Sequence, residues 1–411
     1  MQHKTFRRAA RGSDPFVTDL SAAPWGQPAN HPAVAPTPTD LTPSRPVYDG
    51  RLGELYGIYL RHLTLMVLTL GWSRFWGRTR LRRYLWNHVS ILGDRFEYRG
   101  RGIELFLGFV LVLVVLALWA GLMWLLWEFV FHERTLPGLG FLNLFYLSIA
   151  FIGLPLAFVG QYAGLRYRLS RTRWRGIRCG MVGSAWTYGG VATLLNMANA
   201  VTGQLLTPLV SVNLARPRIS HAFFGTQRFD FAGSAGDIYG RYLGYYFLNV
   251  FVWIVAIGLA VAAVITGGMQ LGFTAEEVTQ LATAPSLRTV LLLIAAGVVL
   301  YIMFSLMILP LRCWWQAYLL RYLVARTRAG NVLFASAIST RQMWGFMVLN
   351  YLIVVLTLGL GWPWVMHRTL RLIARELWIY GAPQGAMIGQ PTQRGPRFGE
   401  GLLDMFDVTG F

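Results

Sequence analysis

The chain is short of charge, and shortest of lysine and acid. Only 13% of its 411 residues are Asp, Glu, Lys or Arg, where a soluble domain carries roughly a quarter. That scarcity excludes an ordinary soluble protein. Lys4 is the only lysine, so the net charge of +19 is carried almost wholly by arginine. Two cysteines, Cys179 and Cys313, are too few for a disulfide framework; both lie near arginine-rich segments expected in the cytosol, where inert thiols are the default. The seven histidines are scattered, with no HExxH or CxxC spacing. Phosphate loops of the Walker or dinucleotide type are missing despite 44 glycines. These absences argue against a resident metal, a cofactor and an enzymatic activity, since no acid/base pair or nucleophile stands out. Residues 1–46 are rich in Pro, Ala and Thr and lack an apolar run of signal-peptide length. A disordered cytosolic tail is expected there.

What the chain has is apolar surface and arginine. Hydrophobic residues make up 55% of it. Seven apolar runs cover about 55–76, 103–131, 139–163, 191–212, 238–265, 289–311 and 343–366, each near the 20 residues that cross a hydrocarbon core. The arginines crowd between these runs, as in Arg74 to Arg101 after the first and Arg166 to Arg178 after the third. A basic pI alone would suit nucleic acid, but charge placed beside apolar runs marks the cytosolic ends of membrane helices instead. The links after the second and fifth runs are nearly free of it. The positive-inside tendency is then met if runs two, three, five and six cross fully, while one, four and seven enter and leave from the cytosol. Breaks suit the odd runs: Thr69-Leu70-Gly71 in the first, Pro208 in the fourth, Thr357-Leu358-Gly359 with Pro363 in the seventh. The expected fold is an all-α integral membrane protein of four spans plus three re-entrant or interfacial hairpins, both termini cytosolic. Seven plain spans are the alternative.

Each unit ends in a short aromatic, β-prone word: Phe96-Glu97-Tyr98 with Gly100, Trp186-Thr187-Tyr188 with Gly189, Phe229-Asp230-Phe231 with Gly233, Trp378-Ile379-Tyr380 with Gly381, and a degenerate Leu333-Phe334. Alternation suits a strand, and glycine suits a positive φ that ends it. The recurring order predicts stacked internal repeats through 47–381, followed by a Gly/Pro linker and an acidic end within 382–411.

The stretch TLGWSRFWGRTRLRRYLWNHVSILGDRFEYRG, from Thr69 to Gly100, resembles the YjgN-like family of bacterial inner-membrane proteins. The order of TLG, Trp72, Trp76, Arg80, Arg82-Arg83-Tyr84, Gly93 and Phe96 to Gly100 carries the likeness. TLGLGWPWVMHRTLRLIARELWIYG, Thr357 to Gly381, repeats it, and Gly399 to Phe411 resembles the family's C-terminal ending. His62 departs from the family, which would place an asparagine there; Asn350 keeps it in the last unit. The resemblance implies a bacterial inner membrane and carries over no activity.

Polar residues inside apolar runs are costly without partners. Arg61 and His62 interrupt the first run, Asn196, Asn199 and Gln204 the fourth, Asn249 the fifth and Asn350 the seventh. They are read either as a polar pathway at the repeat junctions or as interhelical hydrogen-bonding glue. In the first block, Trp72, Phe75 and Trp76 are expected on one helix face and Arg74 and Arg78 on the other. Together with Arg80, Arg82 and Arg83 they suit either topology anchoring or a site for anionic headgroups. Two functions follow. One is transport or channelling of a small solute or lipid through the embedded polar residues. The other is a non-transporting scaffold that binds anionic lipid or a protein partner through its basic cytosolic face. The segment 399–411, with Phe398, Leu402, Met405 and Phe406 on one side and Glu400, Asp404 and Asp407 on the other, is expected to dock on cytosolic arginines.

Overall fold

A computed structural model describes residues 43–126, 128–129, 141–270, 287–381 and 389–391. Residues 1–42 of the expected tail, 1–46, and the acidic segment at 399–411 lie outside the described residues, while Pro43–Ser44 at the end of that tail form a strand paired with Ile379 and Tyr380. Contacts divide the chain into two compact units. One holds the described residues up to Ala235 with Arg321–Ala337 and those from Leu352 on; the other holds Gly236–Leu320 and Ile338–Tyr351.

The described helices are α1 (Leu52–Leu68), α2 (Arg74–Asn87), α3 (Gly102–Leu126), α4 (Phe141–Arg171), α5 (Ala185–Val201), α6 (Thr207–Ser220), α7 (Gly236–Gln270), α8 (Leu287–Ala325), α9 (Thr340–Leu356) and α10 (Trp362–Glu376). Apolar runs two, three, five and six are the long unbroken helices α3, α4, α7 and α8. Runs one, four and seven are each split into a pair, α1–α2, α5–α6 and α9–α10. In the fourth run the break falls at Thr202–Leu206, not at Pro208. Pro208 instead stands in the first turn of α6, where a missing N–H costs nothing.

Between the helices lie short strands: β1 (Pro43–Ser44), β2 (Val47–Tyr48), β3 (Val89–Ile91), β4 (Asp94–Tyr98), β5 (Thr172–Trp174), β6 (Ile177–Met181), β7 (Ala222–Phe224), β8 (Gln227–Arg228), β9 (Asp230–Phe231), β10 (Thr327–Ala329), β11 (Val332–Ser336) and β12 (Leu377–Tyr380). The sequence words understate them. β2 to β8 form a seven-stranded sheet in chain order, and β1-β12-β11-β10-β9 a five-stranded one. The pairs in these ladders are antiparallel. All of these strands belong to the first unit. The end strands are continuous in the chain: β1 runs into β2, and β8 runs through Phe229 into β9. The succession of neighbours is therefore circular, and each sheet's outer strand turns directly into the other's.

Two local signals build the ladders. Leu92-Gly93 and Arg175-Gly176 have positive φ at both residues, 53° and 85°, 52° and 73°. That is the two-residue turn whose twist matches antiparallel strands. The second signal is the aromatic-x-Gly word. Gly100 and Gly233 do not have the expected positive φ. A Cβ on Gly100 would lie 2.5 Å from the Tyr98 hydroxyl, and one on Gly233 2.4 Å from the Phe231 ring. The glycine gives the ring room to fold back along its own strand end. One word is corrected outright: Trp186-Thr187-Tyr188 lies in the first turn of α5, capped by Ser184, whose hydroxyl accepts the Thr187 N–H at 3.3 Å. The strand of that segment is β6, ahead of it.

In the first unit, Leu55, Leu81, Leu85 and Met366 form a core joining α1, α2 and α10. Tyr162, Met181, Tyr188, Ala192, Val210 and Leu214 join α4, α5 and α6. Tyrosines pin helix starts. Tyr84 Oη accepts the Arg51 N–H at 2.8 Å and lies 3.1 Å from the Arg51 carbonyl at the head of α1. Tyr322 Oη makes the same pair with Ser234 just before α7, at 2.7 and 2.9 Å. Tyr167 donates to Glu104 in the first turn of α3 at 2.7 Å. In the second unit, Tyr242, Tyr245, Trp315 and Tyr318 cluster, with Tyr245 stacked on Trp315 at 5.7 Å.

Candidate functional site

The three helix breaks are built by one pattern of backbone bonds. In α1–α2, Gly71 N–H reaches back to Met66 O at 2.7 Å and Leu70 N–H to Val67 O at 3.2 Å. In α9–α10, Gly359 N–H reaches Val354 O at 2.9 Å and Leu358 N–H Val355 O at 3.2 Å. In α5–α6, Gln204 N–H reaches Asn199 O at 2.7 Å and Gly203 N–H Ala200 O at 3.1 Å. This is the paired 6→1 and 5→2 closure of a helix C-terminus, which needs a left-handed residue just past the cap. Threonine braces each break. Thr69 Oγ1 donates to Leu65 O at 2.7 Å and accepts the Ser73 N–H at 3.0 Å. Thr357 does the same with Ile353 O and Gly361 N–H at 2.5 and 2.7 Å. Thr202 donates to Ala198 O at 3.0 Å.

The left-handed residue differs among them. Gly203 takes it in α5–α6, with φ 61°, but leucine takes it in the other two, with φ 49° at Leu70 and at Leu358. A branched side chain in that region costs on the order of 1 kcal/mol. Both leucines are also bare, Leu70 at 91% exposure and Leu358 at 93%. Val201 stands 89% exposed at the third break. Leucine is thus used where the backbone prefers glycine and water prefers a polar side chain.

The embedded polar residues fall into separate places. Asn199 is buried, and its Nδ2 donates to Gln204 Oε1 at 2.8 Å and to Thr207 Oγ1 at 3.2 Å. Thr207 Oγ1 in turn lies 2.7 Å from Gln204 O. Asn196 donates to Ala192 O on its own helix at 2.7 Å. Asn199, Gln204 and Thr207 thus bond one another across the α5–α6 break, and Asn196 does not take part. Arg61 is exposed on α1. His62 is half-buried, its ring packed on Gly77 of α2 so closely that a Cβ there would fall 1.7 Å from Nδ1. That nitrogen is buried without a hydrogen-bond partner. Asn249 on α7 and Asn350 on α9 are half-buried in the second unit.

The basic candidates divide as well. Phe75 is buried, 1% exposed, against Phe106 and Phe109 of α3, while Trp72 and Trp76 pack on Phe106 at its margin and stay 53% and 41% exposed. All three rings meet Phe106 of α3, Trp72 at 5.5 Å, Phe75 at 5.8 Å and Trp76 at 5.6 Å, so they do share one side of the segment. Arg74 lies over the Phe109 ring at 4.4 Å. Arg82 is buried, and Arg83 Nη2 donates to Gly100 O at 3.2 Å. Arg216 makes the same bond to Gly233 O at 2.9 Å. Arg80 is exposed and Arg78 half-buried.

Outside the helix pairs, burial pushes the Cys179 thiol on β6 up to about 12, and the Tyr48 hydroxyl on β2 to about 12. His367 of α10 meets Tyr48, Nδ1 to Oη 3.3 Å, and burial and the Arg371 charge hold it below the usual histidine range. Among the described residues no group of three His, Cys, Asp or Glu side chains could hold a metal ion. The strand hairpins and the turn at Gly203 were missed by sequence reasoning; the two-residue x-Gly turns at Leu92-Gly93 and Arg175-Gly176 were the available signal.

The chain is thus a mostly helical protein in which two described helices, Gly102–Leu126 and Gly236–Leu259, are long and apolar enough to cross a membrane. Residues 43–405 match the family described as bacterial protein of unknown function (DUF898), and the chain belongs to that family. It is also similar to the inner membrane protein YjgN of Salmonella typhimurium strain LT2, 29% identical over 182 residues, 44% of this chain and 42% of that protein. The match therefore spans less than half of either chain. Neither description names an enzymatic activity. No solved structure matches.

Proposed function

We propose that this is a multi-pass bacterial inner-membrane protein that acts as a non-transporting scaffold, holding anionic lipid at the bases of three hairpins. In this reading α3, α4, α7 and α8 cross the membrane. The pairs α1–α2, α5–α6 and α9–α10 dip into one leaflet from the cytosolic side as internally repeated units, and both tails are cytosolic. The observation that carries it is the leucine at positions 70 and 358. Each is strained and bare in water, but burying a leucine in hydrocarbon is worth about 1.5–3 kcal/mol, which outweighs the backbone cost. The broken backbone at the tips closes its own hydrogen bonds, as hydrocarbon demands. Below the first tip, the half-exposed Trp72 and Trp76 stand with Arg74, Arg78 and Arg80 at the depth where indoles and guanidinium groups meet headgroups.

Transport is supported less well, because Asn199 and Gln204 are spent on one turn and Asn196 bonds within its own helix. Nitroxide labels at positions 70, 201 and 358 of the protein in vesicles test the reading. We expect all three to be relaxed by oxygen more than by a water-soluble nickel chelate, and Arg74→Ala/Arg78→Ala/Arg80→Ala to retain at least threefold less anionic phospholipid in native mass spectra. Labels as open to nickel as one at Arg80 would overturn the dipping hairpins. Solute flux lost on Asn350→Ala would select transport instead.

A further inference from the structure

Strand register sorts the seven-stranded sheet into two faces. Side chains alternate along a strand, so directly paired residues share a face. Phe96 opposes Trp174, which opposes Ile177, and these apolar residues lie together. On the other face Glu97 opposes Arg173, which opposes Arg178. In the next row Gly180 opposes Phe223, which opposes Arg228. By the same alternation Arg95 lies on this face beside Glu97, so it carries four strand arginines; Arg95 is paired with Asp49, and Glu97 with Arg99 at 2.9 Å. Arg173 stands directly opposite Arg178, which concentrates positive charge on this face. Phe223 supplies an apolar patch between Arg178 and Arg228.

The chain returns to this sheet near its C-terminal region. Gln390 Nε2 donates to the Gly176 carbonyl at 2.9 Å, and its Oε1 accepts the Arg178 backbone N–H at 3.4 Å. A Cβ on Gly389 would meet the Thr226 methyl at 3.7 Å. Residues 389–391 thus pass over the β5–β6 and β7–β8 turns, at the margin of the arginine face. Beyond Arg397 every charged residue is acidic: Glu400, Asp404 and Asp407.

We propose that the segment 399–411 of this same chain covers the arginine face of the seven-stranded sheet, its carboxylates against Arg173, Arg178 and Arg228 and Phe406 against Phe223. Reach permits it. The stretch 392–398 spans up to about 24 Å when extended, while the three strands from β5 to β7 are only about 10 Å across. The sign of the charge selects the occupant. An arginine-rich surface and an acidic segment tethered beside it meet at a high effective concentration, which a free partner lacks. The inference is independent of the hairpins and of lipid binding at α2.

The test places a photo-crosslinking amino acid at Phe406 in the full chain, in vesicles with anionic phospholipid. Adducts within the same chain to 172–178 or 222–228 are expected. They should fall at least fivefold in Glu400→Arg/Asp404→Arg/Asp407→Arg and recover at least half when Arg173→Glu/Arg178→Glu is added. Arg228→Glu serves as the partner change should that pair fail to fold by gel filtration. Adducts to lipid, adducts between isotopically distinct copies, or same-chain adducts indifferent to charge reversal would each overturn the proposal.

Discussion

The α1–α2 and α5–α6 breaks make the same turn from opposite chemistry. Both reverse the helix with a 6→1 and a 5→2 backbone bond and a threonine brace. The first puts leucine in the left-handed position and leaves it bare; the second puts glycine there and ties Asn199, Gln204 and Thr207 together behind it. α9–α10 sides with the first, down to the φ of 49° at its leucine. The difference teaches what each turn relies on. A glycine turn with a closed polar network is stable wherever it is placed, because its groups supply their own partners. A leucine turn gains where something apolar surrounds its tip. On the proposed reading, one helix pair is held from within, and two are helped by their surroundings.

The largest effect expected from breaking this comparison is at Asn199. Asn199→Ala removes two hydrogen bonds made by a buried amide, to Gln204 Oε1 and Thr207 Oγ1, and should cost about 1–3 kcal/mol, read as a lower thermal midpoint of the purified protein. Thr69→Val, which removes the brace of an exposed turn, should cost about 1 kcal/mol or less. Equal losses would remove the distinction between the two turns.

A second change sharpens it through its sign. Leu70→Gly relieves the left-handed strain and should raise the midpoint in short-chain detergent, by about 1 kcal/mol of stability. In bilayers the same change should lower it, since an apolar tip is lost. A change of one sign in both media would mean that the tip does not distinguish water from lipid.

The smallest effect is in pH, at the base of α9–α10. His367 is held below the usual histidine range by burial and by Arg371, so it is neutral in the folded protein at pH 7. Its contribution is therefore fully present above the unfolded value of about 6.5 and is lost as pH falls through the lowered folded value. Thermal midpoints between pH 7.5 and 5 should fall further for the parent than for His367→Gln. Parallel slopes would show that His367 takes no part.

Much of this was legible in the sequence, for a reason that differs from part to part. The four unbroken helices follow from run length, and the breaks at Thr69-Leu70-Gly71 and Thr357-Leu358-Gly359 from backbone preference, while the third break was misplaced at Pro208 because proline also suits a helix start. The hairpin ladders were hidden because each strand is only two to five residues long. Alternation over so few residues resembles a helix turn, as Trp186-Thr187-Tyr188 shows. The candidate polar residues were legible as a set but not as a site, because polar groups spaced along one apolar run look alike whether they line a pathway or satisfy each other.

The sequence by itself determined where the chain is apolar, where its charge lies, and where two of its three helix pairs break, since composition and backbone preference need no partner to act. Only the tertiary structure decided which strands meet and which arginines are spent on carbonyls, as Arg83 is on Gly100 and Arg216 on Gly233. It also decided that Leu70 and Leu358 stand bare, because exposure depends on what the rest of the chain leaves uncovered.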